Sequence, residues 1–382
     1  MATRSHRPAI TLDVSPAVHH RAGLGRYAGA LAAALIAAAP SYTLQAFYAE
    51  ADRAQPAPDI ASMPAWTSRL GYKPWRLAAM ASHFLRRPMD RTVGSPALFH
   101  ATDHLLPHLR AKTLFTLHDL IFEIYPEHHK RYNHLFLSLM MPRFLRAADH
   151  ILTVSEQSKR DAMRLYEIPA EKMTVVYEAA DPKFAPASLD QIASVRQRYG
   201  LPEQFVLHVG TIEPRKNLTL LLELLAALKG DHPDLRLVLV GKKGWLYEPF
   251  FEALAESGLT NKVIFPGFVA DDDLPALYSA ATFFAFPSWY EGFGLPPLEA
   301  LACATPVLCS DRSSLPEVVG DAGLLLPPDD PKAWIDAAHC LLADEDLQRQ
   351  WRRKGPRQAA KFSWQRAAAE TVAIYDRLLL SP

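Results

Sequence analysis

An α/β protein with two doubly wound sheets is the fold class this sequence predicts, and three observations predict it. Short apolar runs alternate with helical patterns through both halves of the chain, as parallel strands joined by crossover helices require. A polar, proline-bearing stretch at 181–204 (DPKFAPASLDQIASVRQRYGLPEQ) separates the two series. Glycine-bearing or charged loops follow several of the apolar runs, and open α/β sheets place ligands at such strand ends.

In order along the chain, 9–15 (AITLDVS) reads as a first strand, and HHRAGLGRYAGALAAALIAA reads as a glycine turn followed by a helix. Further strands are expected at 97–100, 113–117, 150–154 and 173–177, with helices at 129–146 and 156–166. After the polar stretch come strands at 205–210 and 235–241, helices at 217–229 and 248–257, and shorter strands at 262–266, 282–286 and 306–309. Phe362 and Trp364 open a last helix whose apolar positions recur every three or four residues. Residues 69–87 (RLGYKPWRLAAMASHFLRR) interleave basic, aromatic and apolar groups; an ordinary amphipathic helix and a surface facing a membrane or lipid acceptor both fit that pattern.

Composition narrows the function classes. The chain is 49% hydrophobic and 21% charged, enough to bury a large core. Lys plus Arg equals Asp plus Glu at 41 each, so there is no global attraction to nucleic acid and no nucleic-acid partner is expected. Three cysteines, 303, 309 and 340, lack metal-ligand spacing and read as buried thiols of a reducing, cytoplasmic compartment. The opening MATRSHRPAITLDVSP has no signal-peptide pattern. The apolar run 29–40 is too short to span a bilayer and reads as a buried helix.

Several strand-end groups could do chemistry. Gly23, Leu24 and Gly25 would let backbone approach an anion. Position 28 is Ala, which departs from the GxGxxG dinucleotide pattern. In GTIEPRKN (210–217), Pro214 restricts the turn and Asn217 could cap the next helix, so Arg215 and Lys216 would point with free N–H groups at one acidic ligand such as a diphosphate; a solvated helix start is the plainer reading. In WYEGFGLPPLEA (289–300), Pro296 and Pro297 start a helix that places Glu299 in its first turn, while Glu291 precedes the glycine loop. The two carboxylates could serve one extended ligand. His118 and Asp119 follow strand 113–117, where His118 could donate to an anionic or sugar oxygen; Asp103 and His104 hold a weaker position of the same kind. Asp271–Asp273 read as a helix cap, and no metal site is expected.

Together these features resemble the retaining glycosyltransferase family 4, formerly group 1. The match spans nearly the whole chain: the GLGRY loop, HD at 118–119, TVSEQSKRDAMRLY at 153–166, GTIEPRKN, VIFPGFVADDDLPALYSAA at 263–281, and the E-x7-E element of Glu291 and Glu299. The resemblance implies the GT-B architecture, two Rossmann-like domains facing across a cleft. Residues 1–180 would form an acceptor domain, 181–360 a nucleotide-sugar domain, and 361–382 a helix returning to the first.

It also implies roles. Arg215 and Lys216 would hold the donor diphosphate, with Thr211 standing where some relatives carry another arginine. Glu291 would contact donor-sugar hydroxyls and Glu299 the ribose. Phe293, Gly294 and Leu295 would line the sugar and phosphates, Gly23–Gly25 would approach the diphosphate, His118 would orient the transferred sugar, and Phe268 and Val269 would lie near the base. The implied reaction needs no cofactor or metal. It moves a hexose from a nucleotide-sugar donor, GDP-mannose being the leading candidate, to a glycan or lipid-linked acceptor, with peripheral contact at the cytoplasmic face of the membrane. Other GDP- or UDP-sugars, a nucleotide-sugar epimerase and a non-catalytic sugar-nucleotide binder are the alternatives.

Overall fold

The computed structural model describes residues 7–380; the first six residues, part of the leader reading, lie outside the described residues. The chain divides into two compact units, one of 1–120, 132–178 and 363–382, the other of 121–131 and 179–362.

The first unit is built on seven parallel strands: β1 (Ala9–Asp13), β2 (Thr43–Tyr48), β3 (Ala65–Thr67), β4 (Leu98–Ala101), β5 (Lys112–Leu117), β6 (His150–Thr153) and β7 (Met173–Val175). Their order is β3-β2-β1-β4-β5-β6-β7, so the winding reverses between β1 and β4, and that junction is where such a sheet opens a crevice. Ile10, Leu12, Leu98, Phe99, Leu114, Phe115, Ile151 and Leu152 are almost fully buried, because helices cover both faces of a parallel sheet. The helix Glu156–Tyr166 begins where the Ser155 side chain accepts from Ser158 N, and ends at Glu167, whose φ is 56°. The final helix, Trp364–Leu380, buries Trp364, Ile374 and Tyr375. It belongs to the first unit, so the chain crosses back after completing the second.

The second unit carries six parallel strands: β8 (Phe205–Val209), β9 (Arg236–Val240), β10 (Val263–Ile264), β11 (Phe283–Phe286), β12 (Val307–Ser310) and β13 (Leu324–Leu326). Their order is β10-β9-β8-β11-β12-β13, which puts the reversal between β8 and β11. Each unit is thus Rossmann-like. The helix Leu218–Leu228 is apolar nearly all round and buries Leu218, Leu220, Leu221, Leu222, Leu224, Leu225 and Leu228. At about 2 kcal/mol per buried leucine, it anchors this unit's core. The helix Leu189–Tyr199 opens with a reciprocal capping box between Ser188 and Gln191 and closes at Gly200, φ 62°.

Most strands expected from sequence occur within a residue or two of their expected places. β2 and β3 carry no strong apolar run of their own: β2 contains Gln45 and β3 has all three residues exposed. Their pairing partners, not their composition, make them strands. β13 is apolar throughout (LLL) but only three residues long.

Candidate functional site

The reversal between β8 and β11 brings two loops together. After β8 the chain runs through Gly210 and Thr211 into a single 3-10 turn, Pro214–Lys216. After β11 it passes through Trp289–Gly294 into the helix Leu295–Ala302. The backbone N–H of Trp289 donates to the carbonyl of Arg215 at 2.9 Å, tying the loops side by side.

Four charged side chains meet there. Lys216 Nζ donates to Glu291 Oε1 at 2.6 Å. Arg215 Nη1 donates to Glu291 Oε2 and, at 3.0 Å, to the carbonyl of Tyr290. Arg215 Nε and Nη2 both donate to Glu213 Oε1, at 3.0 and 2.6 Å. Glu213, Lys216 and Glu291 are buried at 4%, 5% and 8% exposure. Two cations therefore balance two carboxylates in a dry setting, as burial of charge demands. Burial alone would raise the Glu291 pKa, but Arg215 and Lys216 hold it down at about 2. Lys216 gains less. Burial and the neighbouring Arg215 push its ammonium below the ordinary range against the pull of Glu291 and Glu213.

A third strand end secures the loop. After β12, Ser313 Oγ accepts from Glu291 N at 2.9 Å, and Ser314 Oγ donates to the carbonyls of Glu291 and Phe293 at 2.9 and 2.5 Å. Gly294 has φ 126°, and a Cβ there would lie 2.9 Å from Leu315 Cδ2, so the turn into the helix requires glycine. Glu299 is buried at 2% and accepts from Tyr278 OH at 2.9 Å.

Several local expectations need correction. The helix starts at Leu295, one residue before Pro296. Glu299 therefore lies beyond the first turn, where the helix dipole gives it little support. Asn217 does not cap its helix: it sits at φ 51° and its side-chain amide donates to the carbonyl of Pro328 at 2.8 Å. Asp273 makes no cap either; its carboxylate accepts from Arg198 and from Tyr199 OH at 2.6 Å. Gly23, Leu24 and Gly25 are not a loop. They form the first turn of the helix Ala22–Ala38, after a short helix at Ser15–Val18. A Cβ on Gly25 would lie 2.8 Å from the carbonyl oxygen of Pro16, so this glycine permits the two helices to touch.

Phe268 is 89% exposed and Val269 is buried, on the loop after β10 at the far edge of the sheet. No contact joins Phe268 to the Arg215, Lys216 and Glu291 cluster among the described hydrogen bonds and ring contacts. Phe293 is buried, with its ring 5.7 Å from that of Phe362.

In the first unit, His118 follows β5 at 6% exposure. Its Nε2 faces the carbonyl of Thr102 at 3.0 Å, and its Nδ1 lies 3.6 Å from Glu178 Oε1. Nε2 is thus engaged by an acceptor of the protein itself, and Nδ1 has the Glu178 carboxylate as its charged neighbour. Beside it, at the reversal between β1 and β4, Asp103 accepts from Arg21 at 2.8 Å, and Arg21 lies over the Tyr72 ring at 3.9 Å. Asp13, at the end of β1, is raised to about 7 by burial and by Asp103. Sequence reasoning passed over Glu213, Ser313, Ser314 and Glu178. Glu213 stands inside the EPRK run and the two serines follow a strand, which is a usable signal; Glu178 follows β7 with nothing local to mark it.

Comparison with known proteins agrees with this architecture. Residues 21–184 match the family described as Glycosyltransferase Family 4, and residues 192–358 match Glycosyl transferases group 1. The chain is 36% identical over 289 residues to O-antigen chain mannosyltransferase B of Escherichia coli, covering 74% of each protein. It is 34% identical over 281 residues to the serotype-specific mannosyltransferase WbdA of the same organism, covering 71% of this chain and 34% of that one. In fold it is similar to sucrose-phosphate synthase from Thermosynechococcus elongatus, with a TM-score of 0.79 at 22% identity over 98% of this chain and 100% of the other. The chain belongs to glycosyltransferase family 4, the group 1 glycosyl transferases of GT-B fold, and is a glycosyltransferase.

Proposed function

We propose that the protein transfers mannose from GDP-mannose to a hydroxyl of a glycan or lipid-linked oligosaccharide, with retention of anomeric configuration. The observation that carries the reading is the cluster of partly buried Arg215 with buried Lys216 and Glu291 at the reversal point of the second sheet. A sugar nucleotide presents an anionic diphosphate beside a polyhydroxylated ring, and this cluster offers cations and a carboxylate side by side.

Arg215 and Lys216 stabilise charge on the departing diphosphate. Glu291, held ionised, accepts hydrogen bonds from sugar hydroxyls, and Glu299 does so from the ribose. The backbone of Phe293, Gly294 and Leu295 lines the sugar and phosphates. Phe268 and Val269 flank the base. The backbone of Gly23 and Leu24, in the first turn of the helix Ala22–Ala38, is assigned to the diphosphate together with Gly25, whose N–H donates to the carbonyl of Arg21, and His118 is assigned to the transferred sugar. Leaving phosphate takes the acceptor proton as the new bond forms on the same face. Mannose is favoured because both Escherichia coli relatives are mannosyltransferases.

Peripheral contact with a membrane carrying the acceptor is part of this proposal. The helices Tyr72–Phe84 and Arg131–Ala147 expose Leu77, Phe84, Leu135 and Leu139, and Arg143 lies over the Phe84 ring at 5.0 Å. Residues 69–89 and 128–148 contain no Asp or Glu, although the whole chain balances its charges. An apolar face with only positive charges suits an anionic lipid surface. Among the described residues no helix is long and apolar enough to cross a membrane.

The test is a donor panel of GDP-mannose, GDP-fucose, UDP-glucose and UDP-N-acetylglucosamine with lipid extracts as acceptors, read by mass spectrometry. Acceptor-dependent transfer from GDP-mannose supports the proposal. Transfer from a UDP-sugar alone refutes the donor assignment.

A further inference from the structure

Three histidines gather at the carboxyl edge of the first sheet, and they are not alike. His100 on β4 bonds two hydroxyls, Tyr375 OH at 2.7 Å and Thr116 Oγ1 at 2.8 Å. Hydroxyls donate or accept as needed, so a neutral ring is satisfied there, and burial and His118 hold this group at about 3. His104, after β4, is also pushed down by burial, against the pull of Asp103. His118 differs because of what faces it. A carbonyl oxygen accepts only, so the nitrogen facing Thr102 carries a proton. The Glu178 carboxylate lies 3.6 Å from the other nitrogen, and its negative charge favours a second proton there. A ring protonated at both nitrogens is an imidazolium.

We propose that Glu178 is a positioning residue for the transfer reaction: its carboxylate favours the imidazolium form of His118 and fixes the plane of its ring, so that His118 presents positive charge to the site up to a higher pH than an ordinary histidine. This rests on the role given to His118 above. The ring is further fixed by Tyr27, edge-on at 4.7 Å and 89°, and the His118 backbone carbonyl accepts from Ser158 Oγ at 2.7 Å. Glu178 is itself 5% exposed, so its charge is poorly screened by water and acts strongly on its neighbour. The charged and titratable groups around His118 are Glu178, Asp119, His104, His100 and Tyr27. Burial would lower the His118 pKa, but Glu178, the Thr102 carbonyl and Asp119 together raise it above the ordinary value. While His118 is protonated it cannot take the acceptor proton, which leaves that proton to the departing phosphate.

The test titrates His118 in the full-length enzyme by the NMR signals of its ring, assigned with His118→Gln, and runs kcat/KM against pH on the same samples. In the wild type His118 should titrate above 6.5. In Glu178→Gln the titration should move acidward, and kcat/KM at pH 8 relative to pH 6 should fall on the order of tenfold against wild type. Glu178→Asp should keep most of the wild-type titration. A wild-type His118 that titrates below 6.5 overturns the proposal without any variant, and so does an unmoved titration in folded Glu178→Gln. Absence of transfer by the wild type at every pH, with the titration as expected, refutes the transfer reading and leaves the control of His118 charge by Glu178 established.

Discussion

Replacing Glu291 by Gln removes one charge from the cluster and almost no volume. In the wild type the carboxylate is held at about 2 against an ordinary 4.5. At about 1.4 kcal/mol per pH unit, that difference is worth about 3 kcal/mol to the folded state. The variant also leaves Lys216, 5% exposed, facing Arg215 without its carboxylate. Breaking a buried pair from one side costs roughly 3–5 kcal/mol. Because burial already pushes the Lys216 ammonium down, the lower end of that range is expected.

The pH dependence has a definite sign. A carboxylate whose pKa is depressed by folding stabilises the protein above its unfolded value and loses that effect as pH falls through its folded value. The stability gap between wild type and Glu291→Gln should therefore be full at pH 7, begin to close near pH 4.5 and be nearly closed at pH 2. Urea unfolding of both proteins across that range measures it. At pH 7 the melting midpoint should fall by roughly 6–12 °C, at roughly 2–4 °C per kcal/mol. A gap under about 0.5 kcal/mol at pH 7, or one that stays constant down to pH 2, would refute the argument.

Other outcomes follow from the same structure. Lys216→Ala should lower kcat/KM by on the order of 100-fold if it stabilises leaving-group charge; near-normal kinetics with the favoured donor would remove it from that role. Gly294→Ala should cost roughly 1–3 kcal/mol by forcing a side chain into φ 126° against Leu315, read as a lower urea midpoint. Of the three cysteines, Cys303 and Cys309 are buried, with their thiols pushed well up, while Cys340 is exposed. A thiol reagent should thus label one cysteine quickly in the native protein and all three after denaturation. Flotation with vesicles rich in anionic phospholipid should capture the wild type but not a Leu135→Ser, Leu139→Ser, Arg143→Ser variant; equal capture would dismiss that face as the membrane contact.

How much of this was legible in the sequence depends on the range of the signal. Apolar runs of parallel strands are local, so β1, β5, β8 and β11 could be placed from composition alone. The TVSEQSKRDAMRLY segment and the E-x7-E spacing are local too, and with the EPRKN run they carried the family resemblance. What the chain could not state was partnership. Glu291 and Lys216 are 75 positions apart and meet only because β8 and β11 are neighbours in the sheet. The ion pair gives Glu291 its low pKa, and no window of sequence contains both partners. Asn217 and Asp273 carry good capping chemistry, yet more distant groups, Pro328, Arg198 and Tyr199, took their hydrogen bonds.

Glu178 is the sharpest case. In sequence it is one more carboxylate beside a proline-bearing stretch. Folding buries it within 3.6 Å of a histidine 60 positions earlier, and acceptors contributed by two separate strand ends raise the pKa of that histidine. Residue types and spacing determined which chemistry this protein has to hand. Only the sheet order decided which groups face one another, because the electrostatic state of a buried group is set by neighbours that the chain brings together from far along its length.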